Sequence, residues 1–441
     1  MNVVKDSVID GRTEKWTQAI DTLVLFLQES GLEHEWAETL QSNLLLADLV
    51  VLTDIQEQYP SRYALELSGR SVETWELQLG QKYMRYATAV YGREMIASAE
   101  LKARGHVLIY PQDTDTQVVR LHTQLDDGEV WFSDLTAGEN PNHESLRTIV
   151  VCDHTTKTVI VSIRGTFSLS GIIVDLAGFC REFCGGWAHA GFAAAARHTW
   201  KTVWETVLQQ KMQYLPSDYN LVLTGHSMGA GVACLITILL HHERPPALRD
   251  RTIRCHAFAA PPVFGPLSAA PEAVSNIIAY TNGWDCVPSL SVDAIRRFMG
   301  AVSRIDTALR GHPVWQRAAE RYELGEPAED LVRAYYGAVP LRPLMQAPVL
   351  FVPTESIIWL ERLEHVDDGA DHPSAFRARA LDPLLYADRI LDVRIPAMMM
   401  DHLIPEYEST FDQILSSISS SLSSSTTTNN NHTVLKRQQR S

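Results

Sequence analysis

The pentapeptide Gly225-His226-Ser227-Met228-Gly229 constrains what this chain can fold into more than any other stretch. Before it, Tyr219-Asn220-Leu221-Val222-Leu223-Thr224 is an apolar, β-prone run that reads as a buried strand. After it, residues 230–240 are apolar almost throughout and read as a buried helix that could start at the serine. A chain that passes from strand to helix around one serine must turn sharply. The turn puts the serine into a strained backbone conformation, and only residues without a Cβ fit two positions before and after it. The hydroxyl then stands above the sheet at a helix N-terminus, where developing negative charge is stabilised. A glycine-rich turn with an idle serine is the plainer reading, but the correct flank on each side favours Ser227 as a nucleophile.

Around this turn, strands and helices alternate. Residues 148–152 and 158–163 read as a hairpin whose second strand runs into Arg164-Gly165-Thr166. A helix is expected over 190–211, and strands over 253–259 and 276–281. That order predicts an α/β fold with a largely parallel sheet.

The flanks differ in character. Residues 1–100 read as a helical region packing on the core: Trp16, Ile20, Leu23, Val24 and Leu27 recur at helical spacing. Further helices are expected over 35–56 and 72–99, the latter interrupted around Gly92. Short β-prone runs follow at 106–110, 118–123 and 129–133. The main domain is expected over 101–415, with a long insertion at 296–386 before a last strand at 390–395. Residues 291–385 hold helical pieces (294–308, 314–323 and 329–336), and 349–352 reads as a returning strand. Residues 416–441 form a Ser-rich tail that cannot bury a core and is expected to be disordered.

Charge narrows the partners. A formal net charge of −15 argues against nucleic-acid binding and against electrostatic recruitment to an anionic membrane. A neutral substrate is easier to reconcile with it. No stretch reaches the roughly 20 apolar residues that span a bilayer, and the N-terminus lacks a signal-peptide core. The expectation is a cytoplasmic protein, peripheral to a membrane at most. The six cysteines are scattered, mostly in apolar runs, and read as buried thiols. Cys180 and Cys184 have no second Cys/His pair at metal-site spacing, so neither metal nor cofactor is expected.

A serine nucleophile needs a general base, and the base needs an acid to fix its tautomer. In α/β-hydrolases these follow the nucleophile in the order acid, then histidine, on loops after strands. Asp285 fits the acid, in Asn282-Gly283-Trp284-Asp285-Cys286-Val287-Pro288 after the 276–281 strand. His312, His365, His372, His402 and His432 compete for the base. His432 lies in the tail and His372 in an acidic loop, whereas His402 follows a strand and precedes a short helix. Asp401, beside it, is not expected to orient it, because neighbouring side chains in a loop diverge. An oxyanion hole needs two N–H donors. Met228, after the nucleophile, supplies one, and Thr166 in the loop after the 158–163 strand supplies the other.

The blocks VIVSIRGTFS (159–168), HAGF (189–192) and LTGHSMGAG (223–231) together resemble the fungal-type class 3 lipases. Within that group, YTNGWDCVPSL (280–290), the insertion after it and IPAMMMDHLIPEYESTF (395–411) look like the sn-1-specific diacylglycerol lipases. YATAVYGREMI (86–96) resembles the stretch preceding their catalytic domain. The resemblance covers roughly residues 85–415. It implies an α/β-hydrolase fold, Ser227, Asp285 and His402 as the triad, and Thr166 with Met228 as the oxyanion hole. It also implies hydrolysis of an acyl ester of a neutral glycerolipid through an acyl-enzyme, most simply at sn-1 of diacylglycerol, at a lipid droplet or membrane surface. Triacylglycerol, monoacylglycerol and phospholipid A1 activities are alternatives, and a non-catalytic lipase-like signalling protein is a second reading. Animal diacylglycerol lipases carry four transmembrane helices before this domain, and this sequence shows none. Residues 168–187 occupy the place of the fungal lid, and Phe167, Ile172 and Ile173 are the substrate-contacting candidates. The 296–386 insertion is the expected gate.

Overall fold

The computed structural model describes residues 28, 52, 69–133, 146–165, 179–309, 348–362, 376–387 and 400–420. Thr166, Phe167, Ile172 and Ile173 lie outside them. So do nearly all of the N-terminal region before residue 69, residues 310–347, the expected 390–395 strand and the tail from 421.

Among the described residues, nine strands build the main sheet. They are β1 (Arg70–Ser71), β2 (Gly128–Ser133), β3 (Thr148–Asp153), β4 (Thr158–Ile163), β7 (Asn220–His226), β8 (Ile253–Phe258), β10 (Ile277–Asn282), β11 (Ile357–Arg362) and β12 (Phe376–Leu381). A small antiparallel sheet adds β5 (Cys180–Phe183), β6 (Gly186–His189) and β9 (Phe264–Gly265). The main-sheet order is β1-β12-β11-β10-β8-β7-β4-β3-β2. Its centre, from β4 through β7, β8 and β10 to β11, is parallel, and both margins are antiparallel. This is an α/β-hydrolase sheet, mostly parallel and flanked by helices.

The central strands are apolar because both faces are covered. Every residue of β3 and β4 is buried. Alternate residues feed two separate cores, as period-two geometry requires. Val159, Val161 and Ile163 of β4 and Leu221 and Leu223 of β7 face one core. Ile160 and Val222 face the other.

The first core is closed by α4 (Ala190–Val203), α5 (Met228–Glu243) and α6 (Val292–Leu309). Continued through a π turn to Met212, α4 matches the helix expected over 190–211. The second core is closed by α1 (Thr74–Ala89), α2 (Arg93–Arg104), α3 (Asp115–Thr123) and α7 (residues 404–420).

Several sequence expectations need correction. Residues 118–123 are not a strand but most of α3. Thr114 caps it, its hydroxyl accepting from the Gln117 amide while the Gln117 side chain accepts from the Thr114 amide. That reciprocal cap starts a helix despite the β-branched Val118 and Val119, which pack inward. Residues 106–110 pair with no described strand. Residues 349–352 contribute a single bridge, Phe351 to Phe264. The helix expected over 294–308 is present as α6, which runs into the 296–386 segment and is core rather than loop: Ile295, Phe298, Met299, Val302 and Ile305 are buried at helical spacing. Each such side chain is worth ~1.5–3 kcal/mol on burial. Downstream in the same segment, β11 extends the parallel sheet beside β10, and β12 follows antiparallel. Residues 416–420, assigned to the tail from composition, continue α7, and Ile418 packs on the second core.

Candidate active site

β7 delivers the chain to Ser227, and α5 carries it away. Ser227 sits at φ +60°, a left-handed conformation that a side chain tolerates only when the surroundings enforce it. The two flanking glycines explain the enforcement. A Cβ on Gly225 would lie 2.7 Å from the Ile163 carbonyl oxygen and 2.6 Å from the Gly229 carbonyl carbon. A Cβ on Gly229 would run into the Ile163 carbonyl oxygen and sit 2.9 Å from the Gly165 nitrogen. The elbow therefore packs backbone against backbone on the end of β4.

The acid stands after β10, with β8 between that strand and β7. Asp285 is fully buried, its Oδ1 accepting from the Val287 amide at 3.0 Å. His402 Nδ1 lies 3.0 and 3.1 Å from the two Asp285 oxygens, and its Nε2 lies 3.1 Å from Ser227 Oγ. A carboxylate can only accept, so these partners assign the proton to Nδ1 and leave the Nε2 lone pair facing the serine hydroxyl. The structure thus brings together the three residues expected to form a triad.

Three further residues hold that chain in place. Tyr407 donates its hydroxyl to Asp285 Oδ2 at 2.7 Å. Burial, and then the neighbouring Asp285 charge, push the Tyr407 pKa well above 10, so the hydroxyl keeps its proton. Asp401 does not bond to the histidine ring. Its carboxylate accepts from the Trp284 amide at 2.7 Å, and its carbonyl accepts from the Asn282 side chain at 3.0 Å. It fastens the acid loop to the histidine loop, where Gly283 at φ +46° leaves room for the Asp401 carboxylate. His226 lies under His402 with ring centroids 4.7 Å apart. Burial, and then the nearby His402, push the His226 pKa well below 6.5, so no second positive charge opposes an imidazolium at His402.

The oxyanion side is partly described. Met228 opens the first turn of α5, next to the serine. Gly165, directly before Thr166, donates its amide to the Tyr91 hydroxyl at 2.9 Å. That hydroxyl lies 3.5 Å from the His226 carbonyl oxygen, so Tyr91 bridges the loop after β4 to the elbow. Sequence reasoning missed Tyr91 and Tyr407. Tyr407 had a signal: Ile404, Tyr407, Phe411 and Ile414 share one helical face, and only Tyr407 on it carries a hydroxyl.

The profile of the lipase (class 3) family matches residues 160–294, which include most of β4, the elbow and the acid loop. Mouse diacylglycerol lipase-beta is 32% identical over 166 residues, covering 36% of this chain and 24% of that protein. The secreted mono- and diacylglycerol lipase A of Penicillium cyclopium is 26% identical over 252 residues, covering 52% of this chain and 70% of that protein. Among solved structures, the Rhizomucor miehei lipase propeptide complex aligns with a TM-score of 0.45 at 17% identity, over 76% of this chain and 81% of that one. The chain therefore spans about a quarter of the mouse relative's length, and the fold assignment rests on its own strand order. Residues 160–294, which carry the candidate nucleophile and acid, match the class 3 lipase family.

Proposed function

We propose that this protein is a serine ester hydrolase acting on a neutral glycerolipid, with the acyl ester at sn-1 of diacylglycerol as its preferred bond. The observation that carries this reading is the continuous chain Ser227 Oγ, His402 imidazole, Asp285 carboxylate, at 3.0–3.1 Å per link. The diacylglycerol preference rests on the relatives' named activities.

In this reading His402 Nε2 takes the Ser227 proton as Oγ attacks the ester carbonyl. Asp285 stabilises the imidazolium that forms. The oxyanion is met by the Met228 amide and by Thr166. Collapse breaks the ester C–O bond, and His402 passes its proton to the departing alcohol. Water then attacks the acyl-enzyme, again losing a proton to His402, which returns it to Ser227 as the fatty acid leaves. Met400 and Leu403, flanking His402, are 49% and 43% exposed and would meet the acyl chains or the lipid surface. Among the described residues no helix is long and apolar enough to cross a membrane.

The test is covalent labelling by a fluorophosphonate probe, followed by a lipid-class panel on the purified full chain. Labelling lost in Ser227→Ala, with diacylglycerol cleaved fastest, supports the proposal. Absence of labelling in the folded wild type would leave the non-catalytic reading. A faster rate on triacylglycerol, monoacylglycerol or phospholipid would reassign the substrate.

A further inference from the structure

Away from Ser227, the second core hides a cluster of charges that the chemistry above does not use. His122 on α3 is buried between two buried carboxylates. Its Nδ1 lies 3.0 Å from Glu100 Oε1 on α2, and its Nε2 lies 2.9 Å from Glu408 Oε1 on α7. Glu100 Oε2 accepts from the Leu108 amide at 2.7 Å, and Glu408 Oε1 also accepts from the Thr88 hydroxyl of α1 at 2.5 Å. Arg104 of α2 reaches Glu408 Oε2 and Asp412 Oδ2, both at 3.3 Å, and Glu100 at 3.9 Å. Arg85 of α1 interacts electrostatically with the same carboxylates.

Hydrogen-bond capacity decides the protonation. A neutral imidazole has one N–H, and an ionised carboxylate has none. With a carboxylate oxygen at hydrogen-bond distance from each ring nitrogen, both nitrogens must donate. The charge count agrees: Glu100, Glu408 and Asp412 are balanced by Arg104, Arg85 and His122 only when the imidazole is charged. Burial acts to lower the His122 pKa, but the Glu408 and Glu100 carboxylates outweigh it and raise it above 6.5. Both glutamates shift down, against their own burial, mainly through His122.

This cluster also touches the reaction centre at one remove. Helix α7 starts two residues after His402. Glu408 follows Tyr407, whose hydroxyl holds Asp285. We propose that the Glu100–His122–Glu408 cluster is a positioning clamp for the triad: His122, carrying two protons, fastens α7 to α1–α3 and thereby fixes where His402 and Tyr407 stand. The inference rests on the serine-hydrolase reading of Ser227, His402 and Asp285. It gives the pH profile a second limb. The clamp's contribution is complete below the ordinary histidine value of 6.5 and is lost as pH rises through the raised folded value. Neutral His122 would leave a lone pair facing a carboxylate oxygen across about 3 Å. His122 sets the alkaline limb of that profile.

Glu408→Gln tests this in the full-length protein. The side-chain amide that this substitution introduces can donate to His122 Nε2 while Nδ1–H serves Glu100, so a neutral imidazole fits. Wild type should lose kcat on a soluble short-chain ester by about tenfold per pH unit above the His122 pKa. Its melting temperature should fall as pH rises from 6.5 to that pKa and level off above it. Glu408→Gln should lack both declines, and Glu100→Gln, which relaxes the same requirement from the other side, serves if the first variant does not fold. In ¹⁵N-histidine spectra of the wild type, one buried imidazole should carry two N–H protons at pH 6.5 and be absent in His122→Gln. The clamp is overturned if that resonance is a neutral imidazole, or if the variants keep the wild-type alkaline limb. The melting and spectral arms need no turnover. An inactive but folded wild type would therefore overturn the proposed function, and the clamp would still be judged by those two measurements.

Discussion

Gly229→Ala probes how tightly the elbow is built. The added methyl would collide with the Ile163 carbonyl oxygen and lie 2.8 Å from the Arg164 carbonyl carbon and 2.9 Å from the Gly165 nitrogen. All three are backbone atoms, so no rotamer change relieves them. Restoring ordinary contact needs the end of β4 and the loop after it to retreat from the elbow by roughly 0.5–1 Å, and displacements of that size cost about 10²-fold in rate. The stability cost belongs to overpacking, ~1–3 kcal/mol, or a few degrees in melting temperature. Gly191→Ala is the control, since its methyl would meet only the His189 ring at 3.6 Å. The assay is the fluorophosphonate labelling rate alongside thermal melting. Gly229→Ala should label about 10²-fold more slowly while still folding, and Gly191→Ala should match wild type in both. A Gly229→Ala protein that labelled and melted like wild type would refute the argument that backbone contact at this glycine sets the geometry.

Ser227→Ala should abolish ester hydrolysis without lowering the melting temperature. His402→Ala should come close to it, and the double variant should be no worse, because triad members act as a unit; additive losses would count against the assignment. Asp285→Asn should reduce kcat on the order of 10⁴-fold. Asp401→Asn, which still presents an oxygen to the Trp284 amide, should lose far less, and the reverse ranking would make Asp401 the acid. Tyr407→Phe removes a hydrogen bond to a buried charged group, worth ~1.5–3 kcal/mol. If the whole loss falls on the transition state, kcat drops about tenfold to a hundredfold with KM little changed. Steady-state kinetics on a short-chain ester would check it, and a pure KM effect would remove Tyr407 from the triad's support.

The sequence by itself determined what is local. Gly225 and Gly229 bracket Ser227 because a turn this tight leaves no space for a Cβ, and that constraint is written in five consecutive residues. The strand before and the helix after were legible from composition, since both are buried on all sides. The order of Asp285 and His402 along the chain was legible too: the acid loop follows β10, and the strand expected before His402 lies outside the described residues. Short apolar runs were less so. Val118 and Val119 suggested a strand, although Thr114 and Gln117 carried the cap that makes a helix. Ile357-Ile358-Trp359-Leu360 went unread inside a presumed insertion, and only pairing with β10 makes it a central strand. Four residues have no periodicity from which a contact can be inferred. Tertiary structure alone decided that Tyr407 reaches Asp285, that Asp401 bonds to Trp284 rather than to its neighbour, and that His122 meets Glu408 across 286 positions. Such contacts depend on which faces of two distant elements come together. The sheet order sets that, and no local pattern of residues encodes it.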